Sequence, residues 1–171
     1  LAIIMRKRGH EVTVYERRPD MRTSTIGAGR SINLAMSTRG WHALELAGLK
    51  EEMESLAIPM YGRYLHQADG STAFQQYGKN NEAIYSVSRG ELNKRLMTLA
   101  EREGAVIHFN QRCTHVDVPN NRLHLQDAGG FERTVDADLL FGADGAFSAL
   151  RNSYVHMDRV NASQHYIEHG Y

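Results

Sequence analysis

The chain has 171 residues, with 20 basic and 20 acidic side chains and a formal net charge of zero. That balance offers no general attraction to nucleic acid or to an anionic membrane, and no apolar run reaches the roughly 18 residues of a membrane span. A single cysteine, Cys113, excludes an internal disulfide and suits a reducing compartment, so a cytoplasmic location is expected.

Leu1 to Gly9 reads as the second half of a helix: apolar residues, then Arg6, Lys7 and Arg8 where the helix dipole favours cations, then glycine as a stop. No helix start signal precedes it, and its charge follows the apolar stretch, unlike a secretion signal. The other end, from His165, has no closing feature, so an internal fragment truncated at both ends is expected; a membrane anchor elsewhere stays open. Glu11 to Glu16 alternates and is rich in β-branched residues, the pattern of a strand. Helix, glycine and a strand closing on an acid form the back half of a dinucleotide-binding βαβ unit, whose Gly-rich loop would lie upstream of Leu1. In such a unit Glu16 accepts hydrogen bonds from the ribose of an adenine nucleotide; the alternative is a solvated strand-end carboxylate. Arg17 and Arg18 lean toward phosphate or adenine, or are surface charges.

Met21 to Arg30 is a polar loop and Ser31 to Ala35 a short extended segment. Ser37-Thr38 offers a cap for a helix from Arg39 to Ala47, with Gly48 as the stop and Trp41, Leu44 and Ala47 on the core face. A second short helix runs around Lys50 to Leu56, before Pro59. Met60 to Gln67 alternates as one strand, with Tyr61, Arg63 and Leu65 on one side. Asp69-Gly70 turns a hairpin, Thr72 to Tyr77 returns, and Ala83 to Val87 supplies a third strand. This antiparallel sheet, 60–87, interrupts a nucleotide domain made of 1–59 and 88–155 and suits the wall of a substrate pocket; 156–171 would begin a further substrate domain. Ser88 and Glu91 spell a capping box for a helix carrying Leu92, Leu96, Leu99 and Ala100 on one face and ending near Gly104. Arg89 sits in its first turn, against the dipole. A nearby anion would explain that; an exposed arginine is the alternative.

Ala105 to Phe109 reads as a parallel strand. Cys113 to Val118, Arg122 to Gln126 and Phe131 to Val135 form a β-meander within 112–136, turned at Asn120-Asn121 and Gly129-Gly130. The apolar run Leu139 to Phe141 is expected to return to the main sheet as a strand buried on both faces. Gly142 and Gly145 then permit a tight turn that holds Asp144 at the strand end, where open α/β sheets bind ligands. His165 to His169 spells H-x-x-E-H, a zinc-peptidase pattern, yet lacks a helix start and a distal ligand. The other histidines lack ligand spacing, so no metal is expected. Ser148 has no nucleophile elbow, and Cys113 no partner motif.

The string Gly142-Ala143-Asp144-Gly145-x-x-Ser148-x-x-Arg151 resembles the signature of flavoprotein aromatic hydroxylases. Gly29-Arg30-Ser31-Ile32-Asn33-Leu34-Ala35, Ile58-Pro59-Met60, Ser86-Val87-Ser88-Arg89 with Leu92-Asn93, His108-Phe109-Asn110 and His169-Gly170-Tyr171 extend the resemblance from Val14 onward. Within that family they point to the members that act on L-kynurenine.

The resemblance implies an α/β, Rossmann-like FAD-binding domain with an inserted antiparallel substrate sheet and a β-meander. It implies cofactor contacts from Tyr15, Glu16, Arg17, Arg18, Ala35, Arg89, Cys113, Asp144 and Gly145. Arg63 would pair with the substrate carboxylate, with Tyr77 beside it. The implied reaction is hydroxylation of L-kynurenine to 3-hydroxykynurenine, with NADPH reducing FAD and O2 activated as a flavin hydroperoxide. The cofactor carries that chemistry, so no catalytic base is assigned. The competing readings are a nicotinamide-dependent dehydrogenase without flavin and a nucleotide-binding module without oxygen chemistry. The first would need a proton-transfer residue, and none is evident.

Overall fold

The computed structural model describes residues 1–23, 33–157, 161–163 and 165–168. The chain divides into two compact units, residues 1–14 with 20–107 and residues 15–19 with 108–171. The Gly29 to Ile32 part of the hydroxylase-like strings, the closing His169-Gly170-Tyr171, and with it the second histidine of H-x-x-E-H, lie outside the described residues.

The first unit is organised on four helices. Helix α1 (Ala2–Lys7) stops before Gly9, whose φ of +87° needs no Cβ penalty. With α2 (Thr38–Leu46), α3 (Lys50–Glu54) and α4 (Arg89–Arg102) it encloses a core of Ile3, Leu44, Ala47, Leu49, Met53, Leu99, Ala100 and Ala105. Trp41 packs edge-on against Tyr85 at 5.1 Å. Only half of the expected capping box forms on α4. Ser88 Oγ accepts from the Glu91 amide at 3.4 Å, while the Glu91 carboxylate turns to Lys94 at 3.1 Å. At the far end of α4, Arg22 chelates Asp20 and Glu101, tying the chain after β1 (Thr13–Tyr15) to the helix.

Two antiparallel sheets complete this unit, and they differ from the sequence expectation. The strand expected over 60–67 forms over 62–66, and an unexpected strand precedes it in a different sheet. β3 (Ala57–Met60) joins β2 (Asn33–Met36) and β6 (Ile84–Ser88) in the order β2-β6-β3, whereas β4 (Gly62–His66) pairs only with β5 (Thr72–Gln76). Pro59 lacks an N–H and sits opposite Tyr85 on the edge of its sheet, where a missing donor is tolerated. At Gly62 a Cβ would meet the Gln75 carbonyl at 2.4 Å, so glycine permits the close passage into the hairpin. The expected third hairpin strand, Ala83 to Val87, is β6 and lies at the centre of the other sheet.

β1 pairs with β7 (Val106–His108). The Val106 amide donates to the Val12 carbonyl and the Glu16 amide to the His108 carbonyl, so both strands ascend together and are parallel. In the second unit β8 (Gln111–Asp117), β9 (Arg122–Asp127) and β10 (Glu132–Asp136) form the meander, turned by Asn121 at φ +47° and Gly130 at φ +86°. Helix α5 (Ala149–Val155) lies on β8. Its Ser153 hydroxyl accepts from the Val116 amide at 3.0 Å and donates to the Ala149 carbonyl at 2.9 Å. The strand expected at Leu139 to Phe141 does not form. An apolar run becomes a strand only where another backbone pairs with it, and no described strand does; Leu139 is 63% and Phe141 56% exposed. No helix among the described residues is long and apolar enough to cross a membrane.

Candidate functional site

In the second unit four of the candidate residues, Tyr15 to Arg18, stand at the end of β1. The Glu16 carboxylate accepts from the Arg18 amide through Oε1 at 2.8 Å, and its other oxygen accepts from no group among the described residues. The backbone here is clamped: the Gln111 amide donates to the Glu16 carbonyl at 2.9 Å and the Asn110 amide to the Arg18 carbonyl at 3.1 Å. Asn110 supplies the left-handed turn this requires, with φ +56°. The Tyr15 ring stacks on His108 with centroids 5.3 Å apart, and the Arg133 guanidinium carbon lies 5.6 Å from its centroid. Arg133 Nε also donates to Gln111 Oε1 at 3.1 Å. Neither Arg133 nor Gln111 was singled out by sequence reasoning: both reach the strand end only through tertiary pairing. Arg17 is exposed.

Cys113 and Asp144 are electrostatically coupled in this unit. Burial, and then the Asp144 carboxylate, push the Cys113 thiol above its ordinary value, while its hydrogen bond to the His115 carbonyl pulls the other way. Cys113 stands beside a bulge in β8. Burial raises the Asp144 carboxyl, but the Ser148 hydroxyl and the amides of Ala149 and Leu150 outweigh it, leaving the group below the usual Asp value. Asp144 thus caps the start of α5, alongside Ser148, whose Oγ accepts from the Arg151 amide at 3.0 Å. Gly145 has φ +78° and open space where a Cβ would stand. The capping role was not legible, because a strand-end ligand and a helix cap draw on the same residue types.

In the first unit Ala35 lies opposite Ser86 in the β2–β6 ladder, and Asn33 opposite Ser88, so the ladder leads directly to Arg89 at the head of α4. Arg63 and Tyr77 share the β4–β5 hairpin. Arg63 pairs with Gln75, its Nε donating to Gln75 Oε1 at 2.9 Å, and the Tyr77 amide donates to the Tyr61 carbonyl at 3.0 Å.

The family described as FAD binding domain matches residues 1–167. The chain belongs to this FAD-binding family. Its relatives include proteins named kynurenine 3-monooxygenase from Christiangramia forsetii, 48% identical over the whole of this chain, Myxococcus xanthus, 45%, and Anopheles gambiae, 42%. The chain spans 38% of the first two and 36% of the third. Among solved structures, 2-methyl-3-hydroxypyridine-5-carboxylic acid oxygenase matches 90% of this chain and 38% of its own at a TM-score of 0.70 and 24% identity. The flavin-dependent monooxygenase PieE, in complex with FAD and substrate, matches 90% of this chain and 29% of its own at a TM-score of 0.74 and 16% identity. The fold is therefore that of an FAD-binding domain. The β1 end fits the adenosine part of FAD: a carboxylate with one oxygen open to a ribose hydroxyl stands at the end of a parallel strand, with two arginines following.

Proposed function

We propose that this chain is the FAD-binding part of a kynurenine 3-monooxygenase, which hydroxylates L-kynurenine to 3-hydroxykynurenine with NADPH and O2. The observation that carries the reading is the 48% identity to the Christiangramia forsetii protein over the whole chain. Bound FAD would supply the redox chemistry, taking electrons from NADPH and activating O2. The chain's own residues bind and orient. Glu16 accepts a ribose hydroxyl through its open oxygen, and Tyr15, Arg17 and Arg18 line the adenosine end. Ala35 and Cys113 contact the cofactor, and Arg89 offers a cation at the head of α4. Asp144 and Gly145 supply a turn without side-chain bulk at the glycine. Arg63 and Tyr77 hold the substrate carboxylate by charge-assisted and hydroxyl hydrogen bonds. Residues 1–59 and 88–155 make up the FAD-binding domain, 60–87 the segment that carries the substrate hairpin β4–β5, and 156–171 the start of a substrate domain. The protein is cytoplasmic in this reading.

Visible absorption and turnover test it together. The purified enzyme that carries this chain should be yellow, should oxidise NADPH faster when L-kynurenine is added, and should release 3-hydroxykynurenine. A colourless protein that oxidises NADPH without O2 consumption would point to a flavin-free dehydrogenase. One that binds nucleotide and turns nothing over would point to a binding module.

A further inference from the structure

The face of the β4–β5 hairpin that carries Arg63 is a cluster of unpartnered donors. Pairing sets Arg63 opposite Gln75 and Tyr61 opposite Tyr77, and alternation puts all four on one side with Leu65 and Ala73. None of these six residues is acidic. Among the described residues, nothing accepts from Arg63 Nη1 or Nη2, from the Gln75 amide nitrogen, or from the Tyr77 hydroxyl. The one side-chain hydrogen bond on this face runs from Arg63 Nε to Gln75 Oε1 at 2.9 Å.

That bond selects how Arg63 meets an anion. A guanidinium can present two forks to a carboxylate, Nε with one Nη or Nη1 with Nη2. With Nε engaged, the end-on Nη1–Nη2 fork is the one left. The Gln75 oxygen is neutral, so it orients the guanidinium without cancelling its charge. Its amide nitrogen remains a further donor toward the same ligand.

We propose that Gln75 is the positioning residue of an amino-acid carboxylate site, holding Arg63 end-on to the incoming carboxylate. This rests on the kynurenine 3-monooxygenase reading. A glutamate at the same position would hold Arg63 equally well in space but would neutralise it and repel the substrate. A leucine would leave the guanidinium charged and unoriented.

The test uses the flavin-loaded enzyme that carries this chain, with Gln75→Leu and Gln75→Glu variants. Steady-state kinetics are run on L-kynurenine and on its decarboxylated amine analogue. For kynurenine, Gln75→Leu should raise KM about tenfold, the scale of one charge-assisted hydrogen bond, with kcat and flavin content unchanged. Gln75→Glu should raise it further, although it is the closer match in shape. Neither change should alter KM for the analogue. Equal losses on both substrates, or an unchanged KM for kynurenine in Gln75→Glu, would overturn the assignment. Because Gln75→Glu preserves size and the acceptor oxygen, it decides the matter if Gln75→Leu does not fold. A wild-type enzyme that ignores kynurenine would overturn the underlying reading as well, which separates the two failures.

Discussion

Glu16 has one oxygen committed to the Arg18 amide and one open, so replacing it should act on ligand binding more than on folding. Glu16→Ala is expected to weaken FAD by about 1.5–3 kcal/mol, the range for a hydrogen bond to a charged group. Flavin retained per protein after dialysis measures it, and full retention would reduce Glu16 to a solvated strand end. Asp144 makes a different prediction, through pH. Its carboxyl titrates lower in the folded chain than in the unfolded one, so the folded state binds fewer protons there. The cap it provides is complete above the ordinary Asp value of about 3.9 and is lost as pH falls through the lowered folded value. Amide exchange at Ala149 and Leu150 should accelerate over that acid window, and Asp144→Asn should flatten the dependence. The strand that leads to Glu16 was legible because helix, glycine and strand follow one another in sequence. The Tyr15–Arg133 contact was not, because nothing local relates a strand end to a distant meander strand.

Gly62 is the pivot between two sheets. A methyl group there would lie 2.4 Å from the Gln75 carbonyl and 2.5 Å from the Phe74 ring, and a backbone carbonyl cannot yield as a flexible side chain can. Gly62→Ala should therefore disturb the β4–β5 pairing, with a loss of about 1–3 kcal/mol as for overpacking. Chemical shifts at Arg63 and Gln75 should move while those of the α4 core residues stay. At this scale the helices and the meander were readable from local punctuation: Ser88 before α4, Gly104 after it, Asn121 and Gly130 in the turns. β3 was hidden beside β4, since Pro59 reads as a break after the preceding helix rather than as an edge-strand residue. Only pairing with β6 or with β5 tells them apart. The run Leu139 to Phe141 shows the converse, a good strand pattern with no described strand to pair it.

Among the described residues both units expose large apolar side chains, and in the second unit three of them stand close in sequence. Leu139, Phe141 and Phe147 lie within nine residues, and Phe147 is 80% exposed. The 171-residue chain is expected to bind an apolar fluorescent dye in its folded state, and Phe141→Ser with Phe147→Ser should weaken that signal without lowering Tm. Unchanged dye binding in the double variant would locate the apolar surface elsewhere. The family and fold were legible at this scale because the distinctive strings spread along most of the chain. The division into two units was not, since it cuts through β1 and β7, elements that look continuous in sequence.

The parallel pairing of β1 with β7 also has a kinetic consequence. Residues 16–105 separate the two strands, so their ladder closes one of the longest loops in the chain, whereas the hairpin and the meander close short ones. Loop-closure entropy opposes such a contact until the intervening helices have collapsed. The end of β1 that carries Glu16 is thus expected to assemble late, after the rate-limiting barrier. Val14→Ala should speed unfolding and leave the refolding rate nearly unchanged, while Leu99→Ala in the helical core should slow refolding. A chevron plot of the two variants distinguishes this order from its reverse.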